Sequence, residues 1–218
     1  MKSSRTILDI MMTILSIILM GGTILFSDER IHQILGLVML GLWICHVLLN
    51  RRWFGSIFRG TYTPYRTLQT VVNIGILLCA LLLMISGIMM SWFLPFDVGT
   101  GLGFARIAHL LSSHWYYIFM CAHIGLHVAT IVRRILHDKP FPVIAKIIIA
   151  FICVYGVYAL FVRKIFSYLF LRQQFFFFDF ERGSVLFALD YLSILILIAS
   201  LFHLLGNFLL KRKLKNKA

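Results

Sequence analysis

Six long apolar runs, separated by short polar segments, organise this chain of 218 residues. The runs cover residues 7–26, 33–50, 70–92, 106–132, 143–163 and 185–210. Each run is about as long as a helix must be to cross the ~30 Å hydrocarbon core of a bilayer. The pattern predicts an all-α protein, a six-span transmembrane helical bundle. We expect one membrane domain over residues 1–210 and a basic tail over residues 211–218.

The composition is typical of a chain that is embedded in a membrane. Hydrophobic residues make up 61% of the chain, charged residues only 13%, and the mean hydropathy is +0.93. A soluble domain of this size cannot bury so much apolar surface, which predicts an integral protein with the lipid bilayer as its first partner. The formal net charge of +13 does not indicate nucleic-acid binding, because the basic residues lie at the ends of the apolar runs.

The distribution of the basic residues predicts the orientation in the membrane. If the N-terminus is cytoplasmic, fifteen of the 21 lysines and arginines fall on the cytoplasmic side and six on the other. Positive charge accumulates on the cytoplasmic side of membrane proteins. The pattern therefore predicts that both termini are cytoplasmic, and that the second and fourth spans both run from outside to inside.

Histidines recur at one interval in these two parallel spans. His109 and His123 are 14 residues apart in the fourth span, and His32 and His46 are 14 residues apart in the second. Fourteen residues bring a helix within 40° of four full turns, so each pair shares a face, with its members about 21 Å apart along the axis. Ionisable side chains at membrane depth usually mark a functional site.

Two apolar helices that each offer two imidazoles predict a four-helix core that holds two b-type haems. The expected axial ligands are His32 with His109 near the outer face, and His46 with His123 deeper in the membrane. The chain has no C-x-x-C-H motif, so the haems are expected to be held non-covalently. Since level ligands reach one iron best, we prefer His123 to His127, which lies one turn deeper.

Five further residues are candidates for the haem surroundings. Gly36 lies one turn from His32, where a missing side chain leaves room for a porphyrin edge. Arg106 lies one turn from His109 and is expected to meet haem propionates, as Arg51 or Arg52 is on the inner side. His127 is expected to bond a propionate or a quinone carbonyl. By contrast, His114 points about 140° away from His109, and we expect it to bond to neighbouring backbone.

Several segments resemble the flavinylation-associated membrane cytochromes, small helical-bundle b-type cytochromes. They are HQILGLVMLGLWICHVLLNRRW, YTPYRTLQTVVN, ISGIMMS, GLGFARIAHLLSSHW and HIGLH, in this order along the chain. The chain departs from the family pattern at His114, where the family has an aromatic residue, and at Val128, where it has tryptophan. The resemblance implies a haem-binding subunit in a bacterial cytoplasmic membrane, which works with extracytosolic proteins carrying covalent FMN. A wider similarity links the chain to the cytochrome b subunits of membrane hydrogenases and formate dehydrogenases.

Two function classes remain open at this point. The first is transmembrane electron transfer between a quinone pool or cytoplasmic donor and an outside redox partner, as a subunit of an oxidoreductase system rather than a stand-alone enzyme. The second is a histidine-lined transporter of metal ions or protons, which is expected to place carboxylates beside its histidines. Residues 31–50 and 106–132 contain no acid, and this favours haem.

Overall fold

The fold is all-helical throughout the part that the structure describes, which is residues 2–22, 25–26, 28–92, 99, 101–136, 141–178 and 180–215 of a computed structural model. Its helices in chain order are α1 (Lys2–Leu19), α2 (Glu29–Leu49), α3 (Arg52–Ile57), α4 (Pro64–Met89), α5 (Gly101–Leu136), α6 (Val143–Val162), α7 (Ile165–Leu169) and α8 (Gly183–Lys215). The predicted all-α class is confirmed. The basic residues 211–215 continue α8.

Four of the described helices are long and apolar enough to cross a membrane: α2, α4, α6, and α8 up to Lys211. They coincide with four of the six predicted spans. Four such helices indicate a membrane protein. The other two predicted spans fall on α1 and α5. These helices are less apolar, because α1 carries Lys2, Arg5 and Asp9 and α5 carries four histidines.

Local sequence accounts for several helix ends. The side chain of Asp28 accepts a hydrogen bond from the backbone N–H of Arg30 and caps α2. Thr63 caps α4 in the same way, and Pro64 follows at the first helical position. The first predicted span, 7–26, is wrong at its end, because α1 stops at Leu19. A turn follows, in which Gly22 adopts a φ of 63°, a left-handed conformation that glycine tolerates best.

Helices α5, α6 and α8 pack closely through small residues. A Cβ atom on Gly125 of α5 would lie 2.3 Å from the carbonyl oxygen of Ala199 on α8. A Cβ atom on Gly156 of α6 would lie 2.6 Å from the carbonyl oxygen of Ser193, also on α8. Only glycine allows these backbones to approach so closely, and this is a common device at helix contacts in membranes.

A buried ionic cluster ties α6 to α8. The carboxylate of Asp190 is fully buried and lies 2.8 Å from Nε of Arg163 and 3.3 Å from Nη2 of Arg182. The hydroxyl of Tyr155 donates a hydrogen bond to the same carboxylate at 2.5 Å. Partners on both sides of Asp190 compensate the cost of burying its charge.

The second span stands apart from this packed group. Helix α2 packs mainly on α1, whereas its backbone makes little close approach to α4 or α5 in the described part of the chain. Met39 is the one buried residue of α2. Packed helices normally lie 8–10 Å apart, so the backbones of α2 and α5, the two helices that carry the paired histidines, are separated by a wider space.

Candidate functional site

The first histidines of α2 and α5 face each other across this space. The ring centroids of His32 and His109 are 6.3 Å apart, and the ring planes are inclined by 69°. Two imidazoles that bind one metal ion from opposite sides, each through a bond of about 2 Å, place their ring centroids roughly 6.3 Å apart. The separation of the two rings therefore fits a bis-histidine iron site.

Helix α4 holds His109 in place from behind. The Ser86 hydroxyl donates to the carbonyl oxygen of Leu82 at 2.6 Å, so its oxygen accepts the Nδ1 proton of His109 at 3.1 Å. A Cβ atom on Gly87 would lie 3.3 Å from Cε1 of the same ring. Because Nδ1 carries the proton, Nε2 is left as the nitrogen that is able to bind a metal.

The second histidine of α5 has an equivalent support. Nδ1 of His123 lies 2.8 Å from Oδ1 of Asn73 on α4, which assigns the proton to Nδ1 and leaves Nε2 as the ligand atom. His46 of α2 lies near enough to interact electrostatically with His123. Since His32 meets His109 at one end and His46 approaches His123 at the other, α2 and α5 run in the same direction.

His127 lies beside His123, with the two ring centroids 4.6 Å apart. Its Nε2 is 3.4 Å from the side-chain nitrogen of Gln69, which is positioned to donate a hydrogen bond to it. His127 therefore shares the inner end of the site with His46 and His123, on the same face of α5.

An acid from the first helix completes the inner end. Oδ1 of Asp9 accepts the Nδ1 proton of His46 at 2.8 Å. The sequence pattern predicted no role for Asp9, because this acid lies outside the two spans that carry the histidines. One signal was present, since an acid inside an apolar run of a membrane protein usually has a functional partner.

Asn73 and Ser86 also lacked a predicted role. Both lie in segments on which the predicted family resemblance rests, YTPYRTLQTVVN and ISGIMMS. Their positions on α4 gave no indication of which histidine each supports, because that depends on how α4 packs against α5.

The remaining predicted residues lie around the pairs without hydrogen bonds to them in the described part of the chain. A Cβ atom on Gly36 would meet nothing within 4 Å, so the surface next to His32 is open. Arg106 is exposed on α5, one turn before His109. Arg51 and Arg52 are exposed at the start of α3, just beyond the end of α2.

Two other histidines lie apart from these pairs. Nδ1 of His114 donates to the carbonyl oxygen of Leu110 at 2.8 Å, as expected for a backbone-bonded residue, and its ring stacks on Tyr168 with centroids 4.4 Å apart. His203 on α8 bonds to the side chain of Asn207 at 3.0 Å.

Within the described residues, no three His, Cys, Asp or Glu side chains come together as a metal-ion site. A haem iron takes only two axial ligands from the protein. The separation of the His32 and His109 rings fits an iron held by both helices. We find no match between this chain and any family model, curated protein or solved structure. The resemblance to the flavinylation-associated membrane cytochromes stays a prediction from the motifs.

Proposed function

We propose that this protein transfers electrons across a membrane through two non-covalent b-type haems. The axial ligands are His32 and His109 for the outer haem, and His46 and His123 for the inner haem. The observation that carries the proposal is the 6.3 Å separation of the His32 and His109 rings across two helices whose backbones otherwise keep apart.

A bound haem supplies reversible one-electron chemistry at its iron. The chain supplies ligands, their orientation and the distance between the two sites. Ser86, Asn73 and Asp9 each accept an Nδ1 proton from a proposed ligand, which keeps Nε2 directed away from the supporting helix. Along α5 the two sites are about 21 Å apart, a step that carries an electron across most of a bilayer's hydrocarbon core.

In this proposal the chain crosses the membrane six times, and α1 and α5 cross it beside the four more apolar helices. Both termini lie in the cytoplasm of a bacterial cell, and the outer pair faces an extracytosolic partner. By the family resemblance, this partner is a protein that carries covalent FMN. A quinone pool or a cytoplasmic donor serves the inner pair, where His127 is able to bond a propionate or a quinone. The chain acts as an electron-transfer subunit rather than as a stand-alone enzyme.

One observation favours a second candidate, a histidine-lined transporter of metal ions or protons. The carboxylate of Asp9 lies beside His46, and transporters are expected to combine carboxylates with histidines at their sites. The ring spacing of the outer pair favours haem instead, because it matches two imidazoles on opposite sides of one iron, whereas the ligands of a tetrahedral metal ion lie closer together.

The experiment is haem extraction from the purified full-length protein, with a reduced-minus-oxidised absorbance spectrum. We expect two haems per chain and the α band of a low-spin b-type cytochrome. His32→Ala and His109→Ala should each remove one haem, the outer one, and stop electron transfer to an outside flavoprotein.

The matched control is His203→Ala, which removes a histidine of α8 that lies outside both pairs. It should retain both haems and the wild-type spectrum. A folded preparation that lacks haem and moves metal ions or protons in liposomes would establish the second candidate instead.

A further inference from the structure

The two histidine pairs differ in what accepts their Nδ1 protons. In the inner pair, His46 bonds to a carboxylate at 2.8 Å and His123 to a carboxamide oxygen at 2.8 Å. In the outer pair, His109 bonds to a hydroxyl oxygen at 3.1 Å, and His32 has no side-chain partner among the described residues. The inner pair thus has the stronger acceptors.

Asp9 is placed where an isolated acid is costly. It lies within the first apolar run, two helical turns after Lys2, and 55% of its side chain is exposed on the surface of the helical bundle. A carboxylate at membrane depth almost always faces a partner. Here the partner is His46 on the neighbouring helix, while His123 and His127 both lie within electrostatic range.

We propose that Asp9 is a positioning residue that makes the inner haem the more reducing of the two. The inference rests on the proposed function, since it concerns the ligand role of His46. Asp9 accepts the Nδ1 proton of His46, directs Nε2 away from α1, and makes that nitrogen a stronger donor.

The physical reason is the effect of an ionised acceptor on an imidazole ligand. A hydrogen bond to a carboxylate is roughly twice as strong as one to a neutral oxygen, and it raises the basicity of the other ring nitrogen. A more basic ligand stabilises the oxidised iron and lowers the reduction potential. The hydroxyl of Ser86 has a weaker effect of the same kind on His109.

The consequence concerns the direction of transfer. If the inner site has the lower potential, an electron taken from a reduced donor would pass downhill from the inner site to the outer site. The donor would be oxidised, and the final acceptor reduced, by one electron. With the predicted orientation, this is transfer from the cytoplasmic half of the membrane toward an extracytosolic acceptor.

The test is a redox titration of the full-length protein in nanodiscs, followed by its absorbance spectrum, on the wild type and on Asp9→Asn, Asp9→Glu and Ser86→Ala. The wild type should show two transitions, of which His123→Ala abolishes the lower. Asp9→Asn should raise the midpoint potential of the lower transition. We expect at least a tenfold change in the reduction equilibrium constant, which is about 59 mV for one electron. Asp9→Glu retains the carboxylate and should stay near wild type.

Ser86→Ala is the matched change at the outer pair and should move only the higher transition. If Asp9→Asn loses the inner haem while Asp9→Glu keeps it, the positioning role is also supported. The proposal is overturned if Asp9→Asn binds both haems with an unchanged lower transition, if both Asp9 variants lose the inner haem, or if the lower transition belongs to the outer pair. A wild-type protein without haem would instead refute the proposed function itself.

Discussion

Two neighbouring histidines compete for the role of inner ligand. The rings of His123 and His127 are 4.6 Å apart on one face of α5. Nδ1 of His123 is bonded to Asn73, so its Nε2 is the available ligand atom, whereas Nε2 of His127 already faces Gln69 at 3.4 Å. These contacts favour His123 as the ligand and leave His127 as a hydrogen-bonding group at the inner end.

The first prediction separates the two. His123→Ala should lose the inner haem, because it removes an axial ligand. His127→Ala should keep both haems and impair only the reaction with a quinol donor, since a hydrogen-bonding group at the inner end is lost. Haem content per chain and the reduced spectrum measure the first effect, and the rate of haem reduction by a quinol measures the second. Loss of the inner haem from His127→Ala alone would exchange the two roles.

At the scale of single helices, the two glycines of α2 lie on opposite faces. Gly36 lies one turn from His32 on the same face, and Gly41 lies about 180° from His32 on the opposite face. A Cβ atom on either residue would meet nothing within 4 Å of protein. Contacts within the protein therefore give no reason for alanine to behave differently at these two positions.

The second prediction uses this pair of glycines. Gly36→Ala should lower the occupancy of the outer haem or shift its spectrum, because the new methyl group enters the space expected for the porphyrin. Gly41→Ala should leave haem content unchanged, since it faces away from the site. Haem extraction and the α band measure both variants. Equal behaviour of the two variants would contradict the placement of a porphyrin edge at Gly36.

The third prediction concerns the contact between α5 and α8. Gly125→Ala should destabilise the bundle by about 1–3 kcal/mol or more, because its Cβ would lie 2.3 Å from the backbone of Ala199 and a backbone atom cannot move aside. The thermal midpoint in detergent should fall by roughly 2–4 °C for each kcal/mol lost.

Gly103→Ala is the matched control on the same helix, because a Cβ atom there meets nothing within 4 Å. It should keep the wild-type midpoint or raise it slightly, as alanine is the better helix former. A wild-type midpoint for Gly125→Ala would contradict the close approach of α5 and α8.

At the scale of the whole molecule, the orientation determines which pair of histidines meets an outside partner. The fourth prediction tests it with one introduced cysteine per variant in a Cys45→Ala background, since Cys45 is the exposed one of the four native cysteines. Ser56→Cys on α3 should be protected from an impermeant thiol reagent added to intact cells. Gly103→Cys at the start of α5 should be labelled.

Both cysteines should react after the membrane is dissolved in detergent, which controls for accessibility. The reason for the expected difference is the excess of lysine and arginine on the side of Ser56. Labelling of Ser56→Cys and protection of Gly103→Cys in intact cells would invert the topology. The pair His32 and His109 would then face the cytoplasm.

The sequence by itself determined the features that depend on local periodicity. Long apolar runs predicted the helices, since a helix in lipid satisfies its own backbone hydrogen bonds. The interval of 14 residues predicted that His109 and His123 share one face of α5, because that follows from 3.6 residues per turn. The end of α1 was misjudged, since the apolar run continues past the Gly21–Gly22 turn that stops the helix.

Only the tertiary structure decided which groups meet across helices. The support of His109 by Ser86, of His123 by Asn73 and of His46 by Asp9 depends on how α4 lies along α5 and how α1 lies along α2. Periodicity defines the face of a helix but not the neighbour that covers it, because many helix arrangements bury the same apolar surface equally well. Asp9, the acid beside His46, therefore lies on α1, a helix that carries none of the paired histidines.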